Sequence, residues 1–190
     1  MIAPESFVKK IFIAFSLLIL FTSLLVPLKD SIAATAQELD VSVEVALESF
    51  RDGIVGGKEY LDSAKGILVF PNVVKVGFGF GGEYGEGVMI VEGKTIDYYS
   101  ISSGSIGFQL GAQTKRLILV FMEQDTLTKF RDSLGWDFGV DGSAAFFNIG
   151  SGGTIDTTNL KSTIIGIVYD VKGLMVNGSL KSSKLTKIIK

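Results

Sequence analysis

Apolar positions change their period along this chain. From Ile11 to Val26 they form a nearly unbroken run of 16 residues, preceded by Lys9 and Lys10 and closed by Pro27. Between residues 38 and 54, Leu39, Val43, Ala46, Leu47, Phe50 and Ile54 recur at three- and four-residue spacing, which predicts an amphipathic helix, although Val41, Val43 and Val45 also alternate as a strand would. A second, shorter helix is predicted over 58–64, with Gly66 as its C-terminal cap. Beyond it the period falls to two. Strands are predicted over 67–70, 73–76, 88–92, 95–100, 105–113, 116–122, 136–147, 162–171 and 174–180, interrupted by a helix over 125–134 that places Leu127, Phe130 and Leu134 on one face and Gly135 just past its end.

Strands and helices do not alternate, which argues against a parallel βαβ sheet. The expected fold is α+β: a curved, mostly antiparallel, barrel-like sheet with N-terminal helices and one further helix near 125–134. Glycine supports the curvature. Gly77, Gly79 and Gly81 alternate with Phe78 and Phe80, so one face is stripped of side chains while the other carries aromatics. Such a face permits a tight bend or the close approach of another segment or a ligand. Gly104, Gly107 and Gly111 repeat the pattern more loosely.

The first 33 residues read as an export leader. A basic start, an apolar run and the small-residue stretch Ser31-Ile32-Ala33-Ala34-Thr35-Ala36 follow the order of a secretory signal peptide, with cleavage expected after Ala33 or Ala36. The alternative is a retained membrane anchor, because 16 residues fall just short of a roughly 17–25-residue span. Residues 34–190 are then a single exported domain, periplasmic or secreted, with a short basic end at 181–190.

Composition narrows the chemistry. The 190 residues include no Cys and no His, which removes disulfides, thiolate nucleophiles, imidazole ligands and the usual serine-triad base. Removing residues 1–33 takes 18 basic and 20 acidic residues to 15 and 18, a net charge of −3, which is unlike a nucleic-acid binder. No acidic residue follows Asp170, whereas Lys172, Lys181, Lys184, Lys187 and Lys190 do. That tail is a solvated end or a contact for an anionic lipid.

Familiar motifs fail on context. Gly77, Gly79 and Gly82 satisfy G-x-G-x-x-G, but a turn and a strand follow where a dinucleotide site needs a helix. Gly93-Lys94-Thr95 lacks the earlier glycine of a phosphate loop, and the Ser6/Lys9 dyad lies inside the leader. Glu83 and Glu86 point to opposite faces of an extended chain, while Asp137 and Asp141 on a strand stand about 13 Å apart, too far for a glycosidase pair. No enzyme and no cofactor is expected.

An ordered series of blocks carries a family resemblance. Ala64-Lys65-Gly66-Ile67-Leu68-Val69-Phe70-Pro71, Val73-Val74-Lys75-Val76-Gly77-Phe78-Gly79-Phe80-Gly81-Gly82 and Gly85-Glu86-Gly87-Val88 resemble the opening of the SYLF domain. The resemblance continues through Tyr99-Ser100-Ile101, the stretch from Gly104 to Gln113, the apolar run 117–122, Gly139-Val140-Asp141-Gly142-Ser143, Lys172-Gly173-Leu174 and Gly178-Ser179. It implies a lipid-binding module whose yeast members are described as actin-binding, with eukaryotic relatives on phosphoinositide membranes and secreted bacterial relatives standing alone. In this chain it implies Gly77, Gly79, Gly81, Gly82, Gly85, Gly87 and Asp141 as motif residues, and Lys65 and Lys75 as matching cationic positions. Three departures limit it: the accessory domains of eukaryotic members are not expected here, the leader directs the chain to where neither actin nor cytosolic phosphoinositides are expected, and segment 38–52 carries Glu38, Asp40, Glu44, Glu48 and Asp52 against Arg51 alone, where the family has a basic membrane-contacting helix.

The expected function is therefore exported, non-enzymatic association with anionic phospholipid or a membrane surface, through Lys65, Lys75, Lys181, Lys184 and Lys187 with aromatics near the glycine-rich sheet. The alternative is an envelope structural or protein-interaction module of the actin-binding type, with an envelope protein rather than actin as partner. An outer-membrane barrel fits less well, given the helices and the lysine-rich end.

Overall fold

Residues 34–138, 141, 144–150, 162–173 and 183–190 are described in the computed structural model. The domain starts with helix α1 (Ala36–Gly53), whose capping box links Thr35 and Glu38 and whose buried residues are Leu39, Val43, Ala46, Leu47 and Phe50. The helical period therefore prevails, and Val41 and Val45 are left exposed on the far side. Helix α2 (Gly57–Asp62) ends at Ser63. Gly66 does not cap it as expected; it opens strand β1 (Gly66–Val91), where an added Cβ would lie 2.9 Å from Leu127.

Six predicted strands and their intervening turns merge into two long ones. Strand β1 pairs antiparallel with β2 (Lys94–Phe121) over nearly its whole length, from Gly66↔Phe121 to Val91↔Lys94. Glu92 (φ 51°) and Gly93 (φ 73°) make the connecting turn. Both positive angles suit the right-handed twist of a tight hairpin. Helix α3 (Gln124–Asp132) follows, with Leu127 and Phe130 buried; Leu134, expected on that face, is 87% exposed beyond the helix end.

The remaining strands are β3 (Gly135–Asp137), β4 (Ala144–Asn148), β5 (Ile164–Gly173) and β6 (Lys184–Ile188). The predicted strand over 136–147 is thus two strands, and that over 174–180 lies outside the described residues. The basic C-terminal end was expected as a solvated end or a lipid contact, with no strand in it, yet β6 pairs with β2 and β3. The free edge of β2 is divided: β5 takes residues 113–121 and β6 takes 98–102. Among the described residues pairing is antiparallel except between β4 and β5, a parallel contact the pattern did not anticipate. The fold is α+β, a curled half-barrel with six strands among the described residues, the two longest of which each fold into two limbs.

The curl follows from what lies on each face. Ile67, Val69, Val88, Ile118, Val120, Ile165 and Ile167 meet α1 and α2 on the outer face. Leu68, Phe70, Val73, Met89, Tyr99, Ile101, Leu117, Leu119 and Leu185 fill the inner face with Phe130 and Trp136. Two limbs of β1 approach each other there. A Cβ on Gly85 would lie 3.0 Å from Val73 and from the Asn72 carbonyl, and one on Gly87 would lie 2.6 Å from the Phe70 ring and the Val69 carbonyl. The glycines let the strand pack on itself.

Candidate functional site

Halfway along β1, the ribbon that folds back forms an elbow. The ladder between the two strands is irregular there, with Phe78 opposite Leu110 but Phe80 opposite Ile106. Between residues 103 and 112, β2 has neither β5 nor β6 on its other edge among the described residues. The alternation read from the sequence explains the two faces. Odd positions from Val73 to Gly87 point into the curl and even positions point out, continuing the surface that α1 covers elsewhere.

Beyond α1 that outer surface is bare. Phe78 is 77% exposed, Phe80 76% and Leu110 73%, and Val74, Val76 and Tyr84 are exposed beside them. Isolated exposed apolar residues are ordinary, but several large ones contiguous on one face mark a contact surface.

Charge at the elbow is positive. Lys172 pairs in register with Thr114, which faces Val74, and Lys184 pairs with Ser102, which faces Tyr84. Directly opposed residues share a face, so both lysines stand on the aromatic side at the two ends of the bare strip. Lys184 is exposed, and Lys172 reaches Asp170 at 3.2 Å with most of its side chain in solvent. Arg116 also contacts Asp170, at 3.3 Å. The acidic helix α1 is on the covered part of the surface.

The inner face of the elbow holds a different cluster. Lys115 Nζ lies 2.9 Å from Glu83 Oε1 and 3.0 Å from Oε2, with both side chains buried. Glu83 and Lys115 belong to opposite limbs of the fold, ten residues apart by β1 register, so the ion pair clamps the bend. Lys75 is also buried, 6% exposed, and has an interaction of its own.

The cationic positions expected from the sequence do not form one patch. Lys65 is exposed before β1, Lys75 faces the interior rather than solvent, and about ten residues of strand, roughly 30 Å, separate them. Lys187 is 2.6 Å from Asp97, which also meets Arg131 at 3.4 Å. Lys184 remains at the elbow, and Lys181 lies outside the described residues. Glu83 and Glu86 do face opposite ways: Glu86 bonds Tyr84 Oη at 2.9 Å and Lys190 Nζ at 2.6 Å. Gly77, Gly81 and Gly82 lie in the elbow, and Gly79 sits at its ladder irregularity. Asp141 closes a turn, its Oδ2 accepting the Asp137 N–H at 2.7 Å. Sequence reasoning passed over Lys115 and counted Lys172 only as part of the basic tail; their strand partners give both their meaning.

These features define an α+β domain with a curled sheet and a glycine-built elbow, and among the described residues no cluster of acidic side chains is grouped to hold a metal ion. Residues 102–188 match the Ysc84 family model, described as Las17-binding protein actin regulator. The match bears out the SYLF resemblance over residues 102–188. It begins within β2, so the glycine-rich stretch of β1 lies outside the matched residues. No curated protein matches the chain.

Proposed function

We propose that this chain is an exported, non-enzymatic SYLF protein that associates with anionic membrane surfaces through the elbow. The bare strip of Phe78, Phe80 and Leu110, bracketed on its own face by Lys172 and Lys184, carries this reading. Aromatic side chains enter the interfacial layer while the lysines meet lipid headgroups, each worth about 1 kcal/mol near an anionic surface. Burying a phenylalanine contributes about 2 kcal/mol, so two of them account for binding that is measurable without a pocket.

Co-sedimentation with phosphatidylcholine vesicles, with and without phosphatidylglycerol, tests it. Wild-type protein is expected to prefer the anionic vesicles at low salt. Phe78→Ser with Phe80→Ser should weaken binding at least about tenfold, and Lys172→Gln with Lys184→Gln should remove the lipid preference. Equal binding by wild type and the serine variant would sink the proposal.

A second reading is a protein-interaction module. The outer edge of β1 has no partner strand among the described residues, an arrangement that can accept an added strand, and the family description names a bound protein. A stoichiometric envelope protein recovered after lipid extraction, with no vesicle binding by the wild type, would favour it.

A further inference from the structure

Two small-residue frames could serve a leader-cleaving protease: Ser31-Ile32-Ala33 and Ala34-Thr35-Ala36. The folded domain treats their residues differently. Ala34 is half-buried and packs against the cluster that holds Leu39 and Val88. Its carbonyl accepts a hydrogen bond from Lys190 Nζ, whose side chain is only 7% exposed and which also bridges Glu86 at 2.6 Å. Thr35 is the N-cap of α1: its Oγ1 accepts the Glu38 N–H at 3.2 Å, and Glu38 Oε2 accepts both the Thr35 N–H and its hydroxyl at 2.8 Å.

Cleavage after Ala36 would remove every one of these contacts except the Lys190–Glu86 bridge. It would also leave a new ammonium group on Gln37, inside the first turn of α1, where the helix dipole is positive and the unpaired N–H groups have lost their cap. Cleavage after Ala33 keeps the capping box, the buried lysine's acceptor and the packing of Ala34, and places the new ammonium outside the helix.

We infer that Ala33–Ala34 is the processing site. A signal peptidase of the exporting membrane reads Ser31 and Ala33 as its two small side chains, and water adds across that peptide bond. Ala33 leaves as the leader's carboxylate end and Ala34 becomes the ammonium end of the mature domain. This rests on the reading of residues 1–33 as an export leader.

The full chain is expressed in a secreting bacterial host, and the exported protein is characterised by intact mass and N-terminal sequencing. The expected terminus is Ala34. Ala33→Leu should abolish that terminus, whereas Ala36→Leu should leave it in place. A terminus at Gln37, or maturation blocked by Ala36→Leu and not by Ala33→Leu, overturns the placement while leaving export intact. Retention of residues 1–33 by the wild type overturns the leader reading, and the site with it.

Discussion

Gly82 and Gly87 occupy the same strand, yet a methyl group would meet different surroundings at each. At Gly87 it would stand 2.6 Å from a backbone carbonyl and an aromatic ring, whereas at Gly82 its nearest neighbour would be 3.8 Å away. Gly87→Ala should therefore destabilise the domain by about 2 kcal/mol, the cost of overpacking a core, while Gly82→Ala stays within about 0.5 kcal/mol. Urea titration of the two variants checks this, and equal midpoints would contradict it. Charge inside the curl obeys a similar logic. Lys115→Met leaves the Glu83 carboxylate buried without its cation, an expected loss of about 3 kcal/mol. Adding Glu83→Met should recover most of it, because an apolar pair avoids the desolvation that the ions incur. The sequence displayed all four residues and could rank none of them. Whether a strand glycine is spacious or crowded depends on which segment returns to touch it.

At the scale of elements, α1 is the part most legible beforehand. Its apolar spacing and its Thr-x-x-Glu cap are local, and the structure keeps both. What holds it to the sheet is not local. Tyr169 on β5 donates to the Ala46 carbonyl at 2.7 Å and stacks edge-on against Phe50, with ring centroids 5.2 Å apart. Burial pushes the Tyr169 phenol up to about 12, and burial likewise pushes Tyr99 on the inner face up to about 12. A raised acid stabilises the fold fully below its unfolded value near 10 and loses that contribution as the pH climbs through the folded value. The tyrosine contribution should thus be flat below about pH 10 and fall between roughly pH 10 and 12. Tyr169→Phe should lower stability at neutral pH by about 1 kcal/mol and flatten part of that alkaline decline. Thermal melts across pH measure both, and an unchanged alkaline slope in the variant would remove Tyr169 from the account. Strand boundaries were less legible. Pro71 and the glycines looked like ends, but the ladder to β2 carries the chain across them, with a bulge between Phe70 and Val73 absorbing the proline.

For the whole molecule, the division between covered and bare surface matters most. Helix α1 shields one stretch of the outer face and the elbow lies beyond it, so the exposed aromatics contribute little to holding the domain together. Phe78→Ser with Phe80→Ser should keep the unfolding midpoint of the wild type while abolishing binding of a hydrophobic dye to the native protein. A collapse in stability would mean that those rings support the fold and would weaken their assignment as a contact surface. The α+β class, the first helix, the glycine alternation and the lack of thiol and imidazole chemistry were all determined by the sequence alone, because period, capping and composition act over a few residues. Only the tertiary structure decided that β1 folds back on itself, that Lys75 turns inward, that the lysine-rich end is a strand beside Tyr99 and Ile101, and that Phe78 and Phe80 face solvent. Each of these depends on pairing between residues far apart in the chain, where register and curvature, rather than residue type, assign a side chain to the core or the surface.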